Sequence, residues 1–214
     1  MKIPYHIAIE GTIGVGKTSL ARILGERLDS KLVLEEFEEN PFLVDFYKNS
    51  ERYAFQTQLF FLLSRYRQQQ LLQQTDLFTK TLISDYMFVK DRLFAALNLN
   101  DKEMSLYNSV ASILEKSVSS PDMVIFLQSD TDRLMQNIKI RGREYEKMIN
   151  WKYIDALNQM YNEFFFRYDS SPLFIINTND IDFVNNKNDL KEVIKFIRTP
   201  GEGTRYYNPL KSIS

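Results

Sequence analysis

The sequence contains no cysteine, which excludes disulfides, thiolate metal sites and a cysteine nucleophile and suits a reducing compartment. It also lacks a charge excess: 27 Lys and Arg against 28 Asp and Glu leave a net charge of -1, so tight binding to nucleic acid has no electrostatic support. No apolar run approaches the roughly 20 residues of a membrane span. Met1 to Tyr5 lead almost directly into an expected strand, so no cleavable signal is expected. A cytoplasmic protein without membrane contact is the expectation. The single histidine, His6, and the single tryptophan, Trp151, read as structural and packing residues.

What is present is ordinary globular composition, 44% hydrophobic and 26% charged over 214 residues, enough for one full-sized α/β domain. Short apolar runs at Ile7–Ile9, Leu32–Leu34, Thr81–Ser84, Met123–Leu127 and Leu173–Ile176 alternate with stretches of helical periodicity. That alternation predicts a five-stranded parallel sheet with helices on both faces. The longest helix is expected over Tyr53–Gln74, and the last over Leu190–Ile197. Residues 1–199 read as a single domain, and 200–214, with two glycines and no periodicity, as a C-terminal tail.

Gly11-Thr12-Ile13-Gly14-Val15-Gly16-Lys17-Thr18 fits the phosphate-binding pattern G-x-x-x-x-G-K-[ST], between a strand and a helix. Backbone N–H groups of such a loop cradle phosphate, Lys17 reaches the β- and γ-oxygens, and the Thr18 hydroxyl holds Mg²⁺. The whole stretch to Ser19 is therefore assigned to the nucleotide. Asn186-Lys187-Asn188-Asp189 matches a guanine-reading motif of GTPases. However, no glycine in the chain has Asp three residues before it, so the companion switch is missing. Asp189 reads instead as a cap of the last helix.

A kinase acting on a small hydroxyl needs a carboxylate to take the proton and cations around the phosphoryl group. Strand ends are where ligands of open parallel sheets sit. Glu35-Glu36 follows the second strand and Asp85 the third. Arg141-Gly142-Arg143, between two helices, suits a lid. Gln56, Gln58 and Arg65 could read a base, while Tyr53, Phe55, Phe60 and Phe61 read as core.

In this order the motifs resemble the deoxynucleoside kinase family over roughly residues 5 to 185. The resemblance implies a P-loop kinase fold with a short Arg-rich lid, ATP as donor and Mg²⁺. It makes Glu35 the base for the sugar 5′-hydroxyl, with Glu36 the alternative, and Lys17, Arg141 and Arg143 the catalytic cations. Tyr47 and Glu146 then hold the 3′-hydroxyl, and Gln58 reads the base together with Arg65, which pairs with Asp91. Asp85 assists the metal and substrate, and Asp182 and Phe183 lie in the loop that holds the donor's adenine. It implies a homodimer, for which Leu59–Leu63 could supply a face, and phosphorylation of a deoxynucleoside, with a purine favoured. A thymidylate-type monophosphate kinase and a non-catalytic nucleotide-binding subunit are the rivals. One departure stands out: Tyr86 occupies the place of the family's arginine after Asp85. Lys90, Arg92 and Lys139 are left as candidate replacements.

Overall fold

The computed structural model describes residues 6–73, 81–199 and 201–209. The segments Met1–Tyr5, Gln74, Pro200 and 210–214 of the sequence reading lie outside the described residues. Strand β1 (His6–Glu10) runs through the glycine-rich loop into α1 (Lys17–Leu28), then β2 (Lys31–Val33). Helices α2 (Leu43–Lys48) and α3 (Ser50–Gln73) follow, then β3 (Leu82–Ser84), α4 (Lys90–Asn98) and α5 (Asp101–Glu115). β4 (Met123–Gln128) leads into α6 (Thr131–Arg141), α7 (Trp151–Phe166), β5 (Leu173–Asn177), α8 (Lys187–Arg198) and β6 (Thr204–Tyr207).

All strand pairs are parallel, in the order β2-β3-β1-β4-β5-β6. Successive side chains of a strand point to opposite faces, and here both faces are apolar. Ile7, Ile9, Ile125, Leu127, Phe174 and Ile176 pack with Leu20 and Leu24 of α1 and Val193 and Ile197 of α8. Their neighbours Ala8, Val124, Phe126 and Ile175 pack with Leu157, Tyr161 and Phe165 of α7. That explains why the strands read as continuous apolar runs rather than alternating ones.

The sheet has six strands among the described residues, not the expected five. The sixth comes from the segment read as an aperiodic tail, where β6 pairs with β5 through Leu173↔Thr204 to Ile176↔Tyr207. Arg205 lies over the rings of Phe174 and Phe196, 4.8 and 4.6 Å from their centroids, and Tyr207 packs on Phe196. A four-residue edge strand carries too few residues to show periodicity. Its signal was composition: Thr-Arg-Tyr-Tyr between Gly203 and Asn208-Pro209.

Other details differ from the sequence reading. Asn186, not Asp189, caps α8 by accepting from the Asn188 and Asp189 amides, whereas Asp189 accepts from the Asp182 amide. Trp151 is half-exposed and donates to Asp132 rather than packing in the core. Within Leu59–Leu63, Leu62 is fully buried in a cluster with Phe88, Tyr107 and Ala111 and Leu59 packs on it, while Leu63 is exposed.

His6 is buried, its ring against the Ser84 hydroxyl at 2.9 Å, and burial lowers its pKa to about 4 despite the opposing charge of Asp122. Its folded value thus lies below the ordinary 6.5. The unfolded chain binds the extra proton between these values, so stability is full above 6.5 and falls as pH drops toward 4. Urea unfolding at pH 5 and pH 7 should show this loss, and His6→Gln should flatten it. An unchanged slope would remove His6 as its source.

Candidate active site

The chain leaves β1 to one side of the sheet through β2 and β3, then crosses to the other through β4. This reversal opens a crevice at the carboxyl ends of β1 and β3, where ligands of open α/β sheets bind. Gly11 to Gly16 fill one wall. Gly11, Gly14 and Gly16 have φ of 146°, 90° and 101°, conformations that favour glycine. A Cβ on Gly14 would stand 2.7 Å from the Leu134 carbonyl oxygen, and one on Gly11 2.5 Å from that of Leu127. The loop is thus pressed against the start of α6 and the end of β4. Lys17 donates to the Gly11 and Thr12 carbonyls at 2.7 and 3.2 Å. Burial first, and then the neighbouring Lys90 ammonium, lower its pKa to about 8.

Opposite the loop lies a buried ionic cluster. Glu35, just past β2, pairs through one carboxylate oxygen with Arg65 and through the other with Lys90. Arg65 also pairs with Asp91. Burial pushes the Glu35 carboxyl up, but the Arg65 guanidinium and the Lys90 ammonium outweigh it and hold it far below the usual carboxylate range. Glu36, by contrast, is exposed. Asp85, at the end of β3, accepts from the Glu35 amide at 2.8 Å and from the Thr18 hydroxyl.

On α3, positions 58, 61 and 65 form one stripe two turns long. Gln58 and Arg65 are buried there, and the Arg65 guanidinium lies 5.0 Å from the Phe61 ring centroid. The Gln58 Oε1 and Arg65 Nε atoms are buried without a hydrogen-bond partner among the described residues. Gln56 instead donates to the Arg52 carbonyl and does not line the cavity.

The third wall comes from the end of α6. Gly142 (φ 70°) turns the chain, and Arg141 donates to Glu146 through Nε at 3.0 Å and Nη2 at 2.6 Å. Arg143 reaches the same carboxylate at 3.5 Å and stacks over Phe37. Tyr47 of α2 stacks on Tyr145, centroids 5.9 Å apart. Burial, with the charge of Glu146 among its neighbours, pushes the Tyr47 phenol well above its ordinary value. One cavity is lined by Ile13, Gly14, Lys17, Thr18, Glu35, Tyr47, Gln58, Arg65, Asp85, Arg141, Arg143 and Glu146. Asp91 stands behind it, reached through Arg65.

Asp182 and Phe183 are elsewhere. They line a second cavity across the glycine loop, with Gly16, Ser19, Arg133 and Asn137. The Phe183 ring covers Gly16, and Asp182 caps its own turn by accepting from the Val184 and Asn185 amides. Val15 faces the core and Thr12 donates to Asn158, so these two loop residues offer backbone rather than side chains.

Sequence reasoning missed Glu10. It is the last residue of β1, 1% exposed, and accepts from the Gly11 and Met87 amides at 3.1 and 2.6 Å. Burial raises its pKa, opposed by Lys90 and Lys17. An acid ending an otherwise apolar strand was the available signal. Phe61, read as core, is a cavity wall, and Tyr145, Tyr153 and Phe37 had not been singled out.

The fold is a parallel-sheet α/β domain with a cavity at the carboxyl ends of its strands, and comparison with known proteins makes it a kinase. A family model described as deoxynucleoside kinase matches residues 7–199. The chain belongs to the deoxynucleoside kinase family. It is 32% identical over 199 residues to a deoxyguanosine kinase of Bacillus subtilis (strain 168), covering 90% of this chain and 95% of that one. It is also 32% identical over 208 residues to a deoxyadenosine kinase of Dictyostelium discoideum, covering 96% and 82%. Among solved structures, deoxyadenosine kinase from M. mycoides with bound dATP superposes with a TM-score of 0.77 at 25% identity, covering 91% of this chain and all of that one. Among the described residues no helix is long and apolar enough to cross a membrane.

Proposed function

We propose that the chain transfers the γ-phosphoryl group of ATP to the 5′-hydroxyl of a purine 2′-deoxynucleoside, as one domain spanning residues 6–209. The observation that carries this reading is the shared cavity. Within it a glycine loop with its lysine faces a buried carboxylate, and behind that carboxylate a buried glutamine and arginine keep polar atoms unpartnered. Unpartnered buried polar atoms cost stability unless a ligand satisfies them.

In this reading the Gly11–Ser19 loop forms the P-loop for the donor phosphates, and the cavity of Asp182 and Phe183 takes the donor's adenine. Glu35, ionised and aimed at the acceptor, receives the 5′-hydroxyl proton. Lys17, Arg141 and Arg143 stabilise charge on the transferring group, the two arginines acting as a lid that exchanges Glu146 for phosphate. Tyr47 and Glu146 align the sugar through its 3′-hydroxyl, and Tyr47 crowds C2′, which favours deoxyribose. Gln58, with Arg65 braced by Asp91, pairs with the polar edge of adenine or guanine.

The Thr18 hydroxyl and Asp85 carboxylate present hard oxygen donors at the loop's end, a set that fits Mg²⁺ held by few protein ligands plus phosphates. When bound there, Mg²⁺ would neutralise charge between the donor phosphates.

The experiment is a phosphoryl-transfer assay with ATP, Mg²⁺ and a panel of deoxynucleosides and their monophosphates. Turnover of deoxyadenosine or deoxyguanosine above the pyrimidines is the expected result. Activity confined to monophosphates would replace this reading with the thymidylate-kinase-like one, and no activity with any acceptor would refute it.

A further inference from the structure

We infer that Lys90 is a catalytic residue of this kinase, the cation that contacts the acceptor 5′-oxygen and the incoming phosphoryl group. The inference rests on the kinase reading above and settles which side chain takes the place left by Tyr86. Tyr86 itself packs under the Arg65 guanidinium, which lies 5.8 Å from its ring centroid, and does not reach the cavity. It is fully buried and its hydroxyl donates to Gln68 at 2.6 Å. Arg92 is turned outward, pairing with Glu115 and donating to Asn108. Lys139 lies exposed on α6. Lys90 alone of the three candidates lines the cavity, with its ammonium on the free side of Glu35.

Three features make Lys90 a poor choice for stability. It is 4% exposed, and a buried ammonium forfeits its hydration. It is the first residue of α4, where the positive end of the helix dipole disfavours a cation. It also stands near a second buried ammonium, since Lys90 is the largest charge acting against the protonated form of Lys17. The acids facing this pair are Glu35 and Glu10, with Asp85 also acting on Lys17. Two ammonium groups lining one cavity are relieved by an anion arriving between them. That is where the γ-phosphoryl meets the acceptor oxygen.

In the transfer step the 5′-hydroxyl gives its proton to the Glu35 carboxylate, and its oxygen forms the new bond to the γ-phosphorus of ATP. The bond from that phosphorus to the β,γ-bridging oxygen breaks, and its electron pair leaves with ADP. Lys90 holds one face of the forming bond and Lys17 the other. Because Lys90 already touches Glu35, the same ammonium also keeps the base ionised until the phosphoryl group draws it forward.

The test compares parent, Lys90→Met, Lys90→Arg and Arg92→Ala in steady-state kinetics. Titration with a deoxynucleoside and with its 5′-monophosphate completes it. Lys90→Met should lower kcat by about 10²-fold with KM for the deoxynucleoside little changed, and Lys90→Arg should recover part of it. Lys90→Met should also weaken 5′-monophosphate binding by about tenfold while sparing the nucleoside, because only the former carries the anion. Arg92→Ala should behave as parent. Near-parent kcat in Lys90→Met, equal loss of nucleoside and monophosphate affinity, or an equal loss in Arg92→Ala would each overturn the assignment. Where Lys90→Met does not fold, Lys90→Gln is read in the same way. A parent enzyme that phosphorylates no deoxynucleoside refutes the kinase reading and the Lys90 role with it, whereas an active parent with near-parent Lys90→Met refutes the Lys90 assignment alone.

Discussion

Glu35→Gln should lower kcat by about 10²-fold or more while leaving nucleoside binding largely intact. The amide is nearly isosteric, so the cavity keeps its volume, but it loses the charge paired with Arg65 and Lys90 and cannot accept the 5′-hydroxyl proton. The geometry makes Glu35 the stronger candidate of its pair. Its carboxylate sits between Arg65 and Lys90, whereas Glu36 is exposed. Asp85 is committed to the Thr18 hydroxyl and the Glu35 amide. The two cations also fix the protonation state: with its folded pKa depressed, Glu35 adds stability above its unfolded value of 4.5 that is lost as pH falls below it. Single-turnover and steady-state rates with ATP, Mg²⁺ and deoxyadenosine or deoxyguanosine measure the effect. Near-normal turnover would move the base to Glu36 or Asp85.

The second large effect is on stability. Arg65 is the hub of the cluster, pairing with both Glu35 and Asp91, with 5% of its side chain exposed. Arg65→Leu removes the only cation paired with Asp91 among the described residues and leaves a carboxylate at 1% exposure. Breaking a buried pair from one side costs about 3–5 kcal/mol. For a chain of this size that corresponds to a fall in Tm of roughly 6–20 °C. Urea unfolding of Arg65→Leu and of the double variant Arg65→Leu/Asp91→Leu separates the causes. The double variant should recover part of the loss, because no unpaired charge remains on Asp91. A loss under about 1 kcal/mol for Arg65→Leu would mean that the cluster behaves like exposed ion pairs and that water enters it.

Much of the frame was legible in residues 6–199. Each apolar run became a strand within about a residue of its expected limits, because strands buried on both faces need unbroken apolar sequence. The long helix was legible too, spanning Ser50–Gln73 against an expected Tyr53–Gln74. The edge strand was not. Its four residues are held by pairing with β5 and by the rings of Phe174 and Phe196, over which its Arg205 lies. Caps depended on a similar local competition. Asp189, three residues past the capping position, accepts from the Asp182 amide instead, and Asn186 caps the helix.

By itself the sequence determined the glycine loop, because its backbone angles demand glycine at Gly11, Gly14 and Gly16 whatever surrounds them. It also determined the face of α3 that carries Gln58 and Arg65, since helical spacing is a local property. The Arg65–Asp91 pair was implied by the family resemblance and is present, but only the tertiary structure decided that Glu35 joins it and takes Lys90 as its second partner. Glu35, Arg65, Lys90 and Asp91 come from three separate segments, and no spacing rule links them. Burial is what makes their partnership obligatory: away from water a lone charge is costly, so the fold had to bring these four together. The same enclosure told Lys90 from Arg92, two cations two residues apart in sequence. One faces the cavity and the other solvent, because successive positions on a helix turn by about 100° per residue.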